Sequence, residues 1–403
     1  MNKRKIFNDP VYGFLYFPYE ILYDLIDHPY FQRLRRIAQL GLTQYVYPGA
    51  LHTRFHHALG AVQLMIKSID TLRVKGIEIS EEEAEAACIA ILLHDIGHGP
   101  FSHALEHKVV DTHHEDISIK FMDALNTQFG GRLSLGIEIF KNAYPRKFLH
   151  QLVSSQLDMD RLDYLTRDSF YTGVAEGVIG YDRIIKMLNM INDQIVVEEK
   201  GIYSIEKFLV SRRIMYWQVY LHKTVIAAEQ MLIRFWDELK KKKAGESWIK
   251  SLPSYLTQIL ELEEFTLQSP EHLELFSKMD DFDLMFLLKS STESSDYVLQ
   301  YLSKSLINRK LFHIITSTSP FNSDEIKGIR HKTESLLNVD KQDTKALIID
   351  GSESNLDYNA SRDEIKILKK NGEIVSFHQY SDLKVNTDRD ILYYLSYPKY
   401  VNV

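Results

Sequence analysis

The stretch LLHDIGHGPFSH, residues 92–103, sets an imidazole beside a carboxylate, His94 and Asp95, at the point where a helix must stop. Upstream, Ser80 followed by Glu83 has the form of a capping box and opens that helix. Gly97 and Gly99–Pro100 end it. Neighbouring helix positions diverge by about 100°, so both side chains reach one point only if it lies beside the helix end. An imidazole and a carboxylate there make half of a mixed nitrogen–oxygen metal site, suited to Mn, Fe or Zn. Two donors do not hold a catalytic ion tightly. The chain offers others at long spacings: His57 in RFHHALG, at the start of its own helix, and Asp160 in QLDMDRLDYLTRD. Each of these residues alone has an ordinary structural explanation. The ordered set, His then His-Asp then Asp, is what points to a cation.

The residues around this set suit phosphate chemistry. Arg161, Tyr164 and Asp168 stand at i, i+3 and i+7 of one helix and share a face beside Asp160. Arg54, three residues before His57, brings a second guanidinium toward the same ion. A cation with two arginines answers the charge that develops on a phosphoryl group. A surface ion pair between Arg161 and Asp168 is the plainer alternative. His98, His103, His114 and Glu115 supply groups able to move a proton near neutral pH. Glu115 also fits a second capping box with Thr112, ahead of Ile117–Phe121. His56 and His113 receive no role.

Composition bounds the classes open to the chain. Its 403 residues carry 48 Lys and Arg against 55 Asp and Glu, a net charge of −7, with 45% hydrophobic and 26% charged residues. Such a chain folds, and its acidic balance disfavours non-specific nucleic-acid binding. A single cysteine, Cys88, excludes an intrachain disulfide and a thiolate metal cage. No apolar run approaches the roughly 18–20 residues of a membrane span. The N-terminal MNKRKIFNDPVYG lacks the apolar segment of a signal peptide, which makes a cytoplasmic enzyme or regulator the default.

Helical periodicity dominates the first two thirds. Leu59, Val62, Met65, Ile66 and Ile69 make a helix face over His57 to Leu72. Lys147 to Asp168 and Glu206 to Leu239 read as long helices. Ile195–Val197 and Ile202–Ile205 around Lys200–Gly201 read as a small hairpin, near 195–205. Asn371–Gly372 between Ile365–Leu368 and Ile374–Phe377 reads as a type I′ hairpin. Ala346–Ile349 reads as a strand. Lys240–Lys243 with Ala244–Gly245 reads as a helix end and a loop with a solvated charged face. The expectation is a mostly α fold: an irregular helical bundle over residues 1–320, with a small α+β region over 321–403.

With these motifs in place, the sequence resembles the HD-domain phosphohydrolases, and within them the deoxynucleoside triphosphate triphosphohydrolases of the vertebrate type, here without a SAM domain. The resemblance is carried by NDPVYG (8–13), DHPYFQRLRRIAQLG (27–41), YPGALHTRFHHALG (47–60), LLHDIGHGPFSH (92–103), HHEDIS (113–118), LDMDRLDYLTRD (157–168) and YLHK (220–223). It runs over roughly residues 4–315 and fades beyond them.

The resemblance implies His57, His94, Asp95 and Asp160 as ligands of one divalent cation per subunit (Mn, Fe or Zn, with Mg accompanying the nucleotide). It implies Arg54 and Arg161 on the triphosphate, Tyr164 and Asp168 beside the sugar, and Gln39 and Leu40 against the deoxyribose. Arg212, Tyr216 and Tyr220 would close over the base. His103, tuned by Glu106, is the first candidate to protonate the leaving 5′-oxygen, with His98, His114 and Glu115 lining the site. Lys5, Asp27, Gln32, Arg35 and Arg309 match a guanine-nucleotide regulatory site at subunit contacts, which implies GTP or dGTP as activator and a homo-dimer or tetramer. The sequence departs from the vertebrate pattern at Arg161 (Lys there), Glu106 (Asp) and Tyr216 (His). The expected reaction releases deoxynucleoside and inorganic triphosphate from a dNTP. The alternatives are another nucleotide phosphohydrolase of the superfamily (a nucleotidase or phosphodiesterase), or a catalytically silent protein that binds nucleotides or single-stranded nucleic acid.

Overall fold

The computed structural model describes residues 5–242, 247–262, 265–267, 269–355, 364–383 and 390–401. A short antiparallel hairpin, β1 (Phe7–Asp9) and β2 (Gly13–Leu15), leads into α1 (Glu20–Asp27) and α2 (Pro29–Gln32). Two helices then form the centre of the molecule. α3 (Arg54–Val74) buries thirteen of its residues. α4 (Glu81–Leu93) buries every side chain from Ala86 to Leu93, the signature of a helix surrounded by others. Its start is the expected box: Glu83 N donates to Ser80 Oγ at 3.1 Å and Ser80 N to Glu83 Oε2 at 2.9 Å. α5 (His114–Gln128) packs on α6 (Ser134–Phe140), α6 and α7 (Lys147–Val153) pack on α4, and α8 (Met159–Thr172) lies along α3.

The predicted helix over Lys147–Asp168 is two helices. The break at Ser154–Asp158 comes from side chains that compete for backbone N–H groups. Asp158 caps α8, accepting from Arg161 N at 2.7 Å and Ser155 N at 2.6 Å, and Ser155 Oγ accepts from Leu157 N at 3.1 Å. The predicted helix over Glu206–Leu239 is also divided. After α9 (Tyr181–Met187), β3 (Leu188–Ile191) and β4 (Gln194–Glu198), α10 (Ile202–Met215) runs into a π turn at Tyr216–Tyr220. That turn is closed by Leu221 N on Tyr216 O at 2.8 Å, and α11 (Lys223–Lys242) follows it. The remainder of the basic run, Lys243 with Ala244–Gly245, lies outside the described residues.

Smaller expectations shift for local reasons. The first hairpin pairs β3 with β4, not residues on either side of Lys200–Gly201. Asn192 and Asp193 both take positive φ, +50° and +60°, and make the tight turn. Ile202 and Ile205 instead open α10, where their spacing matches the buried Phe208 and Leu209. Thr112 does not cap α5; His113 occupies the N-cap position and makes no side-chain cap bond. The hairpin at Asn371–Gly372 forms, but only Gly372 has positive φ, +86°, so the turn runs Lys369 to Gly372 and is not type I′.

Beyond α11 come α12 (Ser254–Glu261), α13 (Pro270–Ser277), α14 (Asp281–Ser291), α15 (Tyr297–Ile307) and β5 (His313–Ser317). α16 (Ser323–Leu337) and α17 (Lys341–Ala346) follow, then β6 (Ile349–Asn355), β7 (Lys366–Leu368), β8 (Ile374–Ser376), α18 (Phe377–Tyr380) and β9 (Asp390–Tyr397). Ala346 thus ends a helix, and the strand predicted there begins at Ile349. Late strands join early ones. β7 extends the β3–β4 hairpin in parallel through Val197 and Ile367, and β9 lies between β5 and β6. The architecture is mostly α with small sheets. Among the described residues, no helix is long and apolar enough to cross a membrane.

The α3–α8 contact depends on one glycine. A Cβ at Gly60 would lie 2.0 Å from Asp163 Oδ1 and 2.1 Å from Arg167 Nη2. Those atoms belong to buried, hydrogen-bonded side chains that cannot swing aside. Alanine gains about 1 kcal/mol in helix propensity, and the clash outweighs it. Gly60→Ala is therefore expected to lower stability by about 1–3 kcal/mol, read as a lower urea midpoint at unchanged slope.

Candidate active site

The four expected ligands come from three places in the chain, and His57, His94 and Asp160 offer donor atoms within 4.8 Å of one another. Thr53 caps α3 with His56, whose Nδ1 accepts from Thr53 N at 3.1 Å, and His57 follows within the first turn. His94 and Asp95 sit where α4 stops. Gly97 leaves room there for α5, because a Cβ would lie 2.2 Å from His114 O, and Ser118 Oγ donates to His94 O at 2.7 Å. Asp160 comes from the first turn of α8. His57 Nε2 lies 3.2 Å from His94 Nε2, 3.1 Å from Asp160 Oδ1 and 3.6 Å from Asp95 Oδ2. His94 Nε2 lies 3.3 Å from Asp95 Oδ1 and 3.5 Å from Asp160 Oδ1.

The donor chemistry fits a cation. His57 Nδ1 is 2.8 Å from Asp163 Oδ2, and His94 Nδ1 is 2.6 Å from Ile91 O, so both Nδ1 atoms act as donors. Both Nε2 lone pairs then face each other and two carboxylates. Burial alone would depress His57. Hydrogen bonds to Asp160 and Asp163 instead raise its pKa to about 10, a proton answering the carboxylates. Asp95 is held well below its ordinary range; burial opposes this, and the Arg54 guanidinium beside it prevails.

A cavity of about 360 Å³ opens onto Asp95 and Asp160. Gln39, Leu40 and Arg54 line one side, His98, His103 and His114 a second, and Tyr164, Asp168, Tyr216 and Tyr220 a third. Arg54 Nη1 pairs with Asp95, and its Nε donates to Ser102 Oγ at 2.9 Å. Glu106 stands behind the histidines. One oxygen is 2.8 Å from His103 Nδ1, and the other is 2.8 Å from His114 Nδ1 and 3.0 Å from His114 N. Against burial, these bonds hold its carboxyl well below the usual range. The His98 ring stacks on His114 with centroids 4.0 Å apart, and its buried Nδ1 has no hydrogen-bond partner among the described residues.

Other expected residues stand elsewhere. Arg161 pairs with Asp158, not Asp168, and neither it nor Arg212 is among the residues that line the cavity; Arg212 Nη1 donates to Gln156 Oε1 at 3.0 Å. Asp168 is buried and accepts from Tyr220 Oη at 2.7 Å, with His52 Nε2 at 2.7 Å from its other oxygen. Glu115 is exposed on α5, away from the cavity lining. Lys5 pairs with Asp27, and Arg35 Nε donates to Gln32 Oε1 at 2.9 Å, an exposed cluster at the start of the chain. Arg309 Nε donates to Tyr45 O at 2.7 Å and lines a different cavity, of about 720 Å³.

The reading of the sequence missed a supporting layer. Asp163 also binds Arg167 Nε at 2.9 Å, and Arg167 Nη1 reaches Asp9 at 2.7 Å, so a buried chain of alternating charge ends on His57. The i, i+4 spacing of Asp163 and Arg167 was its signal. Asp281 accepts from Ala38 N at 2.8 Å and Phe101 N at 2.6 Å, joining two walls of the cavity. Glu229 lines the cavity as well, and burial pushes its pKa up to about 8. Nothing local in the sequence marks either one.

The HD-domain sequence pattern matches residues 54–168, and that of the HD-associated region matches residues 179–252. The crystal structure of a phosphohydrolase from Bacteroides thetaiotaomicron is similar at TM-score 0.92 and 46% identity, over 98% of this chain and 100% of that one. The YwfO protein of Bacillus subtilis is 32% identical over 99% of this chain and 93% of its own. The deoxynucleoside triphosphate triphosphohydrolase SAMHD1 of Homo sapiens is 27% identical over 83% of this chain and 58% of its own, so the chain spans little more than half of that relative. The matched HD pattern, the fold and these relatives together have one reading: the chain belongs to the HD-domain phosphohydrolases.

Proposed function

We propose that the protein hydrolyses deoxynucleoside triphosphates to deoxynucleoside and inorganic triphosphate. The observation that carries this reading is the continuity of the donor quartet with a cavity holding an arginine, a bank of histidines and a tyrosine wall. His57, His94, Asp95 and Asp160 would hold a divalent cation of the Mn, Fe or Zn class, which would supply Lewis-acid chemistry at a phosphoryl group. Arg54, fixed by Asp95 and Ser102, offsets charge on the phosphates. Leu40 beside Gln39 presents an apolar wall to the sugar, where an added 2′-hydroxyl would be left unpaired at a cost of about 1–3 kcal/mol. Tyr164, Tyr216 and Tyr220 enclose the base. His103, oriented by Glu106, delivers the proton that the leaving 5′-oxygen needs, with His98 and His114 beside it. On the family's pattern, GTP or dGTP bound by Lys5, Asp27, Gln32, Arg35 and Arg309 between subunits of a dimer or tetramer would activate the enzyme.

One observation favours a second reading. With Arg161 turned onto Asp158, the cavity keeps a single arginine, which suits a nucleotidase or phosphodiesterase with fewer phosphates to hold.

Product analysis separates the two readings. Incubation with each dNTP, alone and with GTP or dGTP, should release triphosphate in one step; orthophosphate or pyrophosphate would replace the first reading with the second. Asp95→Ala should leave no measurable triphosphate release. His103→Gln should lower kcat by about 10²–10⁴-fold with KM little changed. Asp163→Asn should weaken cation binding by about 10–100-fold, with activity recovered at higher Mn²⁺ concentration; unchanged cation affinity would remove Asp163 from the role of positioning His57.

A further inference from the structure

The loop between Leu105 and α5 gathers a second set of donors. His107 Nε2 lies 3.2 Å from His113 Nδ1, with the rings edge to face at 4.5 Å between centroids. His113 Nδ1 lies 3.9 Å from Glu106 Oε1, and the three donor atoms all fall within 4.8 Å of one another. Two ligands on a tetrahedral zinc are about 3.3 Å apart, given bonds near 2.0–2.1 Å, so the imidazole pair already has the spacing and the carboxylate needs a small movement. His107 Nδ1 is 3.0 Å from Asp111 Oδ1, the carboxylate–imidazole arrangement that aims the other ring nitrogen at a metal.

The loop is built to hold this shape. His107 takes φ +61°, a conformation that costs a side chain energy. Val109 and Val110 are buried beneath it, and Trp236 Nε1 donates to Lys108 O at 3.1 Å. His107 and His113 remain open to solvent, 40% and 72% exposed at the side chain.

We propose that Glu106, His107 and His113 form a second site, for a zinc-class divalent cation, that competes with His114 for the Glu106 carboxylate. Two neutral imidazoles and one carboxylate suit a borderline cation over Mg²⁺ or Ca²⁺, which prefer oxygen donors. The oxygen that would turn to the cation, Oε1, is the one that accepts from His114 Nδ1 and N. Loading the site therefore draws Glu106 off His114 and loosens the dyad with His103. On the proposed function, this slows turnover.

The test counts zinc by equilibrium dialysis on protein already carrying one equivalent of its resident cation. The wild type should bind one further equivalent, and His107→Ala and His113→Ala should each lose it. His114→Ala, which removes the competitor, should tighten zinc binding roughly 10-fold, the usual scale of such coupling. Absence of the further equivalent in the wild type, or its persistence in both loop variants, overturns the site. Zinc affinity unchanged by His114→Ala overturns the competition. These readouts need no substrate, so they stand apart from the product analysis. Where dNTP turnover is observed, zinc should lower it roughly 10–100-fold in the wild type and leave both loop variants unaffected.

Discussion

Two imidazole nitrogens and two carboxylates facing one another at 3.1–3.6 Å repel unless positive charge lies among them. Three separate helices nevertheless hold them there, and that constraint organises the rest of the protein. α3 and α8 approach closely enough only because residue 60 has no side chain. Asp163 fixes the His57 ring, Arg167 fixes Asp163, and Asp9 from the first hairpin neutralises Arg167. Without a cation, the repulsion is relieved by a proton on His57, whose pKa rises to about 10. A proton and a cation would be alternative occupants of this cluster, so cation binding would release a proton.

The supporting layer also ties the cavity walls to the cage. Ser102 Oγ donates to Ala38 O at 2.8 Å and accepts from Arg54, while Asp281 collects the N–H groups of Ala38 and Phe101. Arg54 is thereby tied through Ser102 to the backbone of Ala38, beside Gln39 and Leu40 of the cavity wall. Its guanidinium is fixed by Asp95 and Ser102 before any ligand arrives, so little conformational freedom remains to be lost on binding.

His94–Asp95 was legible at a helix stop, since a capping box opens that helix and glycines end it. Periodicity instead sets Asp160 within one long helix, and its place in the first turn of α8 depends on the break before it. Helix interiors were legible too, because apolar spacing reports them directly. Helix breaks were not. Periodicity continues across Ser154–Asp158 and Tyr216–Leu221, and what ends the helices there is side-chain competition for N–H groups in one case and a π turn in the other. Long-range partners such as Asp281 and Glu229 carry no local mark, because their meaning depends on which loop the fold brings to them. The strand pairings that join β4 to β7 and β5 to β9 are equally non-local.

On the proposed function, substrate choice would rest on the tyrosine wall of the cavity. Asp168 is the sugar-side residue that the family pattern suggests, yet His52 and Tyr220 already meet both of its oxygens at 2.7 Å. Its influence on a ligand therefore passes through Tyr220, whose hydroxyl it anchors. Tyr220 in turn meets Tyr216 edge to face at 5.2 Å, and the π turn carries both. A π turn packs one extra residue into the turn, and such insertions recur where side chains must be re-aimed at a site. The tyrosine wall is thus an aromatic unit braced from behind by a buried carboxylate. Arg161, by contrast, is held by the neighbouring cap residue Asp158 and stands outside the residues that line the cavity.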